Sequence, residues 1–141
     1  MRLSIVATLY NSEPHLNEFY ERLTQSAQQI THDYEIILVN DGSPDSSLEL
    51  ALKLFDQDSR VRVIDLSRNF GHHKAIMTGL EHTQGECVFL IDSDLEEPPE
   101  TLNLFWDEMQ RGRDLDVVFG VQGKRKGKVF ERVSGLFITR S

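Results

Sequence analysis

The sequence holds a single cysteine, Cys87, with four prolines and nine glycines in 141 residues. One thiol can close neither an internal disulfide nor a four-thiolate zinc site, so a reducing compartment is expected, with the cytoplasm as the default. Little proline and glycine, together with 39% hydrophobic and 27% charged residues, excludes collagen-like, low-complexity and disordered chains. No apolar run approaches the roughly 18 residues of a membrane span, and the apolar start Leu3 to Leu9 is too short for the hydrophobic region of a secretion signal. Basic residues are scarce over most of the length. The first 112 residues carry 8 Lys and Arg against 20 Asp and Glu, a net of −12, whereas residues 113–141 carry 7 against 3, a net of +4. An acidic body repels phosphates except at its basic tail or through a bound cation, so no nucleic-acid partner is expected. The tail residues Lys124, Arg125, Lys126 and Lys128 are either a solvated run or a contact for an anionic substrate or lipid surface, which leaves membrane association open.

What is present is periodicity. Five short apolar runs, Leu3 to Leu9, Tyr34 to Asn40, Val61 to Leu66, Cys87 to Ile91 and Val117 to Val121, read as strands whose centres recur about every 26 to 31 residues. Helical spacing fills the gaps. The stripes are Leu16, Phe19, Tyr20, Leu23, Ala27 and Ile30; Leu48, Ala51, Leu52 and Phe55 after a Ser46/Ser47 cap; Ala75, Ile76, Gly79 and Leu80; and Leu102, Phe105, Trp106 and Met109 after Pro98 and Pro99. Alternating strands and helices at βαβ spacing predict one α/β domain over 1–141, a Rossmann-like, doubly wound, mostly parallel sheet. Cys87 opens a predicted buried strand and is read as a packed small hydrophobe.

Sheets of this kind bind ligands beyond the carboxyl ends of their strands, at the point where strand order reverses. The polar residues gather at those ends: Tyr10 and Asn11 after strand one; Asn40, Asp41, Gly42 and Ser43 after strand two; Ser67 to Gly71 after strand three; Asp92, Ser93 and Asp94 after strand four. The loop Thr8 to Glu13 has no glycine, which disfavours a dinucleotide-binding or Walker phosphate loop, and it lacks the acidic pair of a phosphoacceptor receiver domain. In an extended turn Asp92 and Asp94 point the same way. Two converging carboxylates repel each other until a hard divalent cation reverses the field, and oxygen-only ligands favour Mg²⁺ or Mn²⁺ over zinc. The alternative is that Asp94, Glu96 and Glu97 are acids set against the dipole of the helix that starts at Pro98 and Pro99. Asp41 can accept hydrogen bonds from a base or ribose, or can simply shape its turn. Tyr10 can stack on the same base. Lys74, near a helix start, can reach a phosphate. His72 and His73 diverge by about 100° on a helix, so a shared metal ion is disfavoured.

Four blocks in order then carry a resemblance: Leu3-Ser4-Ile5-Val6-Ala7-Thr8-Leu9-Tyr10-Asn11, Tyr34 to Ser43, Leu66-Ser67-Arg68-Asn69-Phe70-Gly71, and Leu90 to Leu95 with Pro98-Pro99-Glu100. Together they resemble the inverting family 2 glycosyltransferases of the GT-A fold, in particular the polyprenyl-phosphate sugar synthases, the group of dolichyl-phosphate mannose synthases and their bacterial relatives. The likeness runs from residue 3 to about 138. It implies that Thr8, Leu9, Tyr10, Asn11 and Asp41 hold the nucleoside of a UDP- or GDP-linked sugar. It also implies that Asp92 and Asp94 bind the cation on the donor diphosphate, beside Ser93, with Asp94 as the catalytic residue, and that Arg125 meets the acceptor phosphate. Three positions depart from the family pattern: Thr8 where proline is usual, Ser12 where glutamate is usual, and Gln122 where the first arginine of the basic stretch is usual. The chain ends in an amphipathic segment, Phe130, Val133, Leu136 and Phe137, and reads as a C-terminally truncated part of a longer catalytic domain. The implied activity is metal-dependent transfer of a sugar, with inversion, to a polyprenyl phosphate. The alternatives are transfer to a glycan hydroxyl in polysaccharide or cell-envelope biosynthesis and, from another class, a non-catalytic nucleotide-sugar-binding domain. The expected location is the cytoplasm, with the inner face of the membrane as its variant.

Overall fold

The computed structural model describes residues 2–111 and the strands Val117–Val121 and Val133–Thr139. Strands β1 (Leu3–Leu9), β2 (Tyr34–Asn40), β3 (Val61–Asp65) and β4 (Cys87–Asp92) alternate with helices α1 (Leu16–Ile30), α2 (Ser47–Gln57), α3 (His72–Glu81) and α4 (Thr101–Arg111); β5 (Val117–Val121) and β6 (Val133–Thr139) follow. The sheet order is β3-β2-β1-β4-β6-β5. The first four strands are mutually parallel, and β6 runs antiparallel to both β4 and β5.

Crossover helices must cover both faces of a parallel sheet, and the strand sequences obey that demand. LSIVATL in β1 and YEIILVN in β2 are buried at every position. Alternate residues then go to opposite faces. Ile5, Ala7, Leu9, Ile36, Leu38 and Phe89 pack with Phe19 and Leu23 of α1, Ala51 of α2 and Leu102 and Phe105 of α4. Val6, Ile37, Val39 and Val88 pack against Ala75 of α3 on the other face. Each fully buried Leu, Ile or Phe contributes about 1.5 to 3 kcal/mol of transfer free energy, so these two layers hold the scaffold of the site. At the amino ends of the strands one buried carboxylate, Glu35, is satisfied by Ser4 Oγ at 2.6 Å, Gln84 N at 2.8 Å and the Arg62 guanidinium at 2.9 Å.

The strand and helix order matches the sequence reading, with three differences. Of the terminal amphipathic segment, Val133–Thr139 is a sixth strand inserted between β4 and β5, because its backbone completes the open edge of β4 in register, Cys87 opposite Thr139 and Leu90 opposite Leu136; Phe130 lies outside the described residues. On α2 the expected stripe is shifted: Ser47, Ala51 and Leu54 are buried, while Leu52 and Phe55 are about half exposed. Six of the eight residues from Leu48 to Phe55 are apolar, a wider face than one sheet surface can cover. The α2 cap also differs. Neither Ser46 nor Ser47 caps through its side chain; Asp45 Oδ1 accepts the Ser47 N–H at 3.0 Å instead. Cys87 is buried, as its expected packing role requires, and burial pushes its thiol above the usual range.

Candidate functional site

Chain order reverses between β1 and β4. From β1 the sheet grows through β2 and β3 on one side, while β4 begins the other, so the crevice beyond their carboxyl ends is the switch point of the fold. Thr8 pairs with Asp92 across that seam. Just beyond it lies a cleft of about 160 Å³ lined by Thr8, Tyr10, Ser12, His72, Asp92, Ser93 and Asp94.

The loop after β1 turns sharply. Asn11 has a φ of +55°, a left-handed conformation that Asn tolerates better than most residues, and it exposes Tyr10, 51% accessible, over the cleft. Ser12, by contrast, is buried and ties the loop down. Its Oγ accepts the Tyr10 N–H at 3.1 Å and lies 2.7 Å from Ser93 Oγ, whose hydroxyl donates to the Thr8 carbonyl at 2.8 Å. Ser12 N–H donates to Ser47 Oγ at 2.9 Å, linking this loop to the start of α2. The neighbouring Asp45 carboxylate gathers Ser43 Oγ, Ser47 Oγ and the Glu13 N–H. Burial would raise its pKa, but these hydrogen bonds outweigh burial and hold it down at about 2.

Asp92 is the last residue of β4 rather than part of the following turn. Asp94 is exposed, and its Oδ1 accepts the Glu96 N–H at 3.0 Å. Between them Ser93 is buried and held to β1. Leu95 closes the turn with a φ of +65°. A branched side chain in this region costs on the order of 1 to 3 kcal/mol, offset here by packing of Leu95 against the main core.

Of the expected site residues, Thr8, Tyr10, Asp92, Ser93 and Asp94 share the cleft. Leu9 is fully buried in the core, and its carbonyl accepts the Asp41 N–H at 3.0 Å. Asn11 is exposed, its N–H bonded to Ser43 Oγ at 2.8 Å. Asp41 follows β2 on the far side of β1 from the carboxylate pair, and it is buried. Its Oδ1 accepts the Phe70 N–H at 2.8 Å and its carbonyl accepts Asn69 Nδ2 at 3.0 Å, so it clamps the loop before α3. Lys74 is exposed on the first turn of α3 and does not line the cleft. Arg125 and its basic neighbours lie outside the described residues. Two cleft residues are additional to the expectation, Ser12 and His72. His72 opens α3 beside the carboxylates, its Nε2 3.3 Å from Asp92 Oδ1 and its Nδ1 3.3 Å from Thr8 Oγ1.

A sheet crevice holding an aromatic, two carboxylates and a serine-tied loop can take a nucleotide whose charged part faces the acids through a cation. Residues 4–140 match the model of glycosyl transferase family 2. The chain belongs to that family. Over 127 residues it is 58% identical to a Mycobacterium tuberculosis (strain CDC 1551 / Oshkosh) protein carrying a glycosyltransferase name, covering 90% of this chain and 37% of that one. It is 40% identical over 131 residues to the undecaprenyl-phosphate 4-deoxy-4-formamido-L-arabinose transferase of Pseudomonas fluorescens (strain Pf0-1), covering 92% and 38%. The chain thus spans well under half the length of these relatives. Among solved structures, S. aureus TarS 1-349 in complex with UDP-GlcNAc superposes with a TM-score of 0.69 at 27% identity, over 94% of this chain and 37% of that one. The mannosyltransferase PcManGT of Pyrobaculum calidifontis, in complex with GDP-Man and Mn²⁺, superposes with a TM-score of 0.79 at 18% identity, over 99% and 44%. The fold of this family 2 domain is that of the GT-A glycosyltransferases. Among its described residues no helix is long and apolar enough to cross a membrane.

Proposed function

We propose that this family 2 domain binds the nucleotide-sugar donor of an inverting glycosyltransferase whose acceptor is a polyprenyl phosphate. The observation that carries the reading is the convergence of Tyr10, Asp92 and Asp94 on one cleft at the switch point of the sheet. The polyprenyl-phosphate acceptor is supported by the name of the Pseudomonas fluorescens relative.

The donor set suits Mg²⁺ or Mn²⁺. Among the described residues no three His, Cys, Asp or Glu side chains converge as a metal cage. Such cations are commonly held by one or two carboxylates and complete their shells with substrate phosphates and water. Asp92 and Asp94 are the residues that would hold it, with Asp94 as the catalytic carboxylate. When bound, the ion supplies the positive charge that stabilises a departing nucleoside diphosphate.

The remaining work falls to the chain itself. Tyr10 stacks on the base, while the Thr8 to Asn11 loop and Asp41 define the nucleoside pocket. Ser93 holds the carboxylate turn against β1, and Lys74 and Arg125 answer donor and acceptor phosphates respectively. A phosphate acceptor is already anionic near neutral pH. It attacks the anomeric carbon as the sugar–diphosphate bond breaks, a single displacement that inverts the centre and calls for positioning more than for a general base.

Calorimetry of UDP and GDP binding with Mn²⁺ and with chelator tests the site, and transfer of labelled sugar to a short polyprenyl phosphate tests the reaction. Nucleotide affinity should collapse in chelator and in Asp92→Ala/Asp94→Ala. Equal affinity with and without Mn²⁺ would remove the cation role, and transfer to a glycan hydroxyl but not to polyprenyl phosphate would replace the acceptor.

A further inference from the structure

His72 is the first residue of α3, and the residue before it dictates where it goes. Gly71 has a φ of +101°, and a Cβ there would meet no atom within 4 Å, so conformation rather than space requires glycine. That backbone turn carries the imidazole across to the seam between β1 and β4. Its two nitrogens then face two different strand ends, Nδ1 at 3.3 Å from Thr8 Oγ1 and Nε2 at 3.3 Å from Asp92 Oδ1.

The chemistry of the two partners selects one tautomer. A carboxylate can only accept, so Nε2 carries the hydrogen toward Asp92, and Nδ1 then accepts from the Thr8 hydroxyl. Thr8 is buried and fixed in β1, while Asp92 is 36% exposed at its side chain. A rigid strand residue therefore orients a ring that orients a half-exposed carboxylate. The arrangement depends on a hydroxyl at position 8.

We propose that His72 is a positioning residue: anchored by Thr8, it holds the Asp92 carboxylate in the orientation that receives the cation of the nucleotide complex. The inference rests on the reading of Asp92 as a cation ligand. Partners that orient a ligating carboxylate typically change metal affinity by about 10- to 100-fold when removed.

The test is Mn²⁺ binding to the intact protein in the presence of UDP and, separately, GDP, followed by the electron paramagnetic resonance of free Mn²⁺, with apo melting temperature as the check on folding. His72→Ala should weaken Mn²⁺ binding about 10-fold or more. His72→Gln, whose amide nitrogen falls near the position of Nε2, should recover most of the affinity, whereas His72→Asn, whose amide nitrogen mimics Nδ1, should not. Thr8→Val should give a smaller loss in the same direction, and His73→Ala, one residue on and exposed, should stay within twofold. Because Gln and Asn differ by a single methylene, the pair decides the question even where His72→Ala fails to fold. Asp92→Asn distinguishes the two levels of the argument. If it leaves Mn²⁺ binding intact, the cation reading itself falls; if it abolishes binding while every His72 variant stays within twofold of wild type, only the positioning role falls. Equal losses in the Gln and Asn variants, or in His73→Ala, would also overturn the positioning role.

Discussion

A single carboxylate at the end of β2 shows how a turn-former and a ligand contact can be separated. Asp41 Oδ1 accepts the Phe70 N–H at 2.8 Å, and loss of that acceptor leaves a partly buried donor unpaired, a cost of about 1 to 3 kcal/mol. Asp41→Ala should therefore lower the unfolding free energy by an amount in that range, read as a lowered denaturation midpoint. Asp41→Asn keeps a carbonyl oxygen for Phe70 and should retain most of the stability. If the proposed nucleoside contact holds, Asp41→Asn should nonetheless bind uridine or guanosine nucleotides more weakly by calorimetry; unchanged affinity in a stable Asp41→Asn would leave only the loop clamp. The carboxylate pair is legible in the sequence because Asp92 and Asp94 carry their chemistry in their own side chains at the end of an apolar run. His72 is not. Its neighbour His73 invites a paired-ligand reading that helical geometry disfavours, and its contacts join residues 8, 72 and 92, a coincidence that only the folded chain produces.

At the scale of the elements, the loops that follow β2 and β3 are packed on each other, and one glycine permits it. Gly42 has a φ of +66°, and a Cβ there would press into the backbone of Asn69 and lie 2.6 Å from the carbonyl carbon of Arg68. Backbone cannot rotate away as a side chain can. Gly42→Ala should cost more than the roughly 1 kcal/mol of the left-handed conformation alone, read as a lowered urea midpoint, and should loosen the loop that Asp41 clamps. The cap of α2 gives a pH signature. The Asp45 pKa of about 2 lies below the ordinary 3.8, so its contribution to stability is present above about pH 4 and is lost as pH falls toward 2. Melting curves of Asp45→Ala and wild type should differ at pH 6 and converge near pH 2; a gap that persists at pH 2 would assign the effect to packing. Strands β1 and β2 can be read directly because burial on both faces leaves an unbroken apolar run. The α2 face cannot, since Leu52 and Phe55 are as apolar as Leu54 and only the position of the sheet decides which of them is covered. Nor can β6, whose role depends on an open edge left by β4.

For the whole molecule, charge distribution bears differently on the two substrates of the proposed function. Under that proposal the acidic first 112 residues would meet a donor diphosphate through a cation, whereas the net +4 of residues 113–141 would meet an acceptor phosphate directly. β5 runs parallel to β4, since β6 is antiparallel to both, so Val121 ends its strand at the same end of the sheet as Asp92. In the intact protein, Arg125→Ala should raise the KM for a polyprenyl-phosphate acceptor about 10-fold or more while nucleotide affinity stays within about twofold, because a charge-assisted phosphate contact contributes roughly 1.5 to 3 kcal/mol. Steady-state kinetics at limiting acceptor makes the measurement. Full activity there would return Arg125 to the solvated surface and favour a hydroxyl acceptor.

The pairing of Thr8 with Asp92 also has a kinetic meaning. β1 finds β2 after one crossover, but it meets β4 only after three helices and two strands have been made, and contacts so distant in sequence form slowly because loop closure must come first. The cleft is therefore completed late, whether the chain refolds from denaturant or emerges from a ribosome. During refolding, far-ultraviolet circular dichroism should recover before Mn²⁺-dependent nucleotide binding does. That lag would time the closing of the β1–β4 seam.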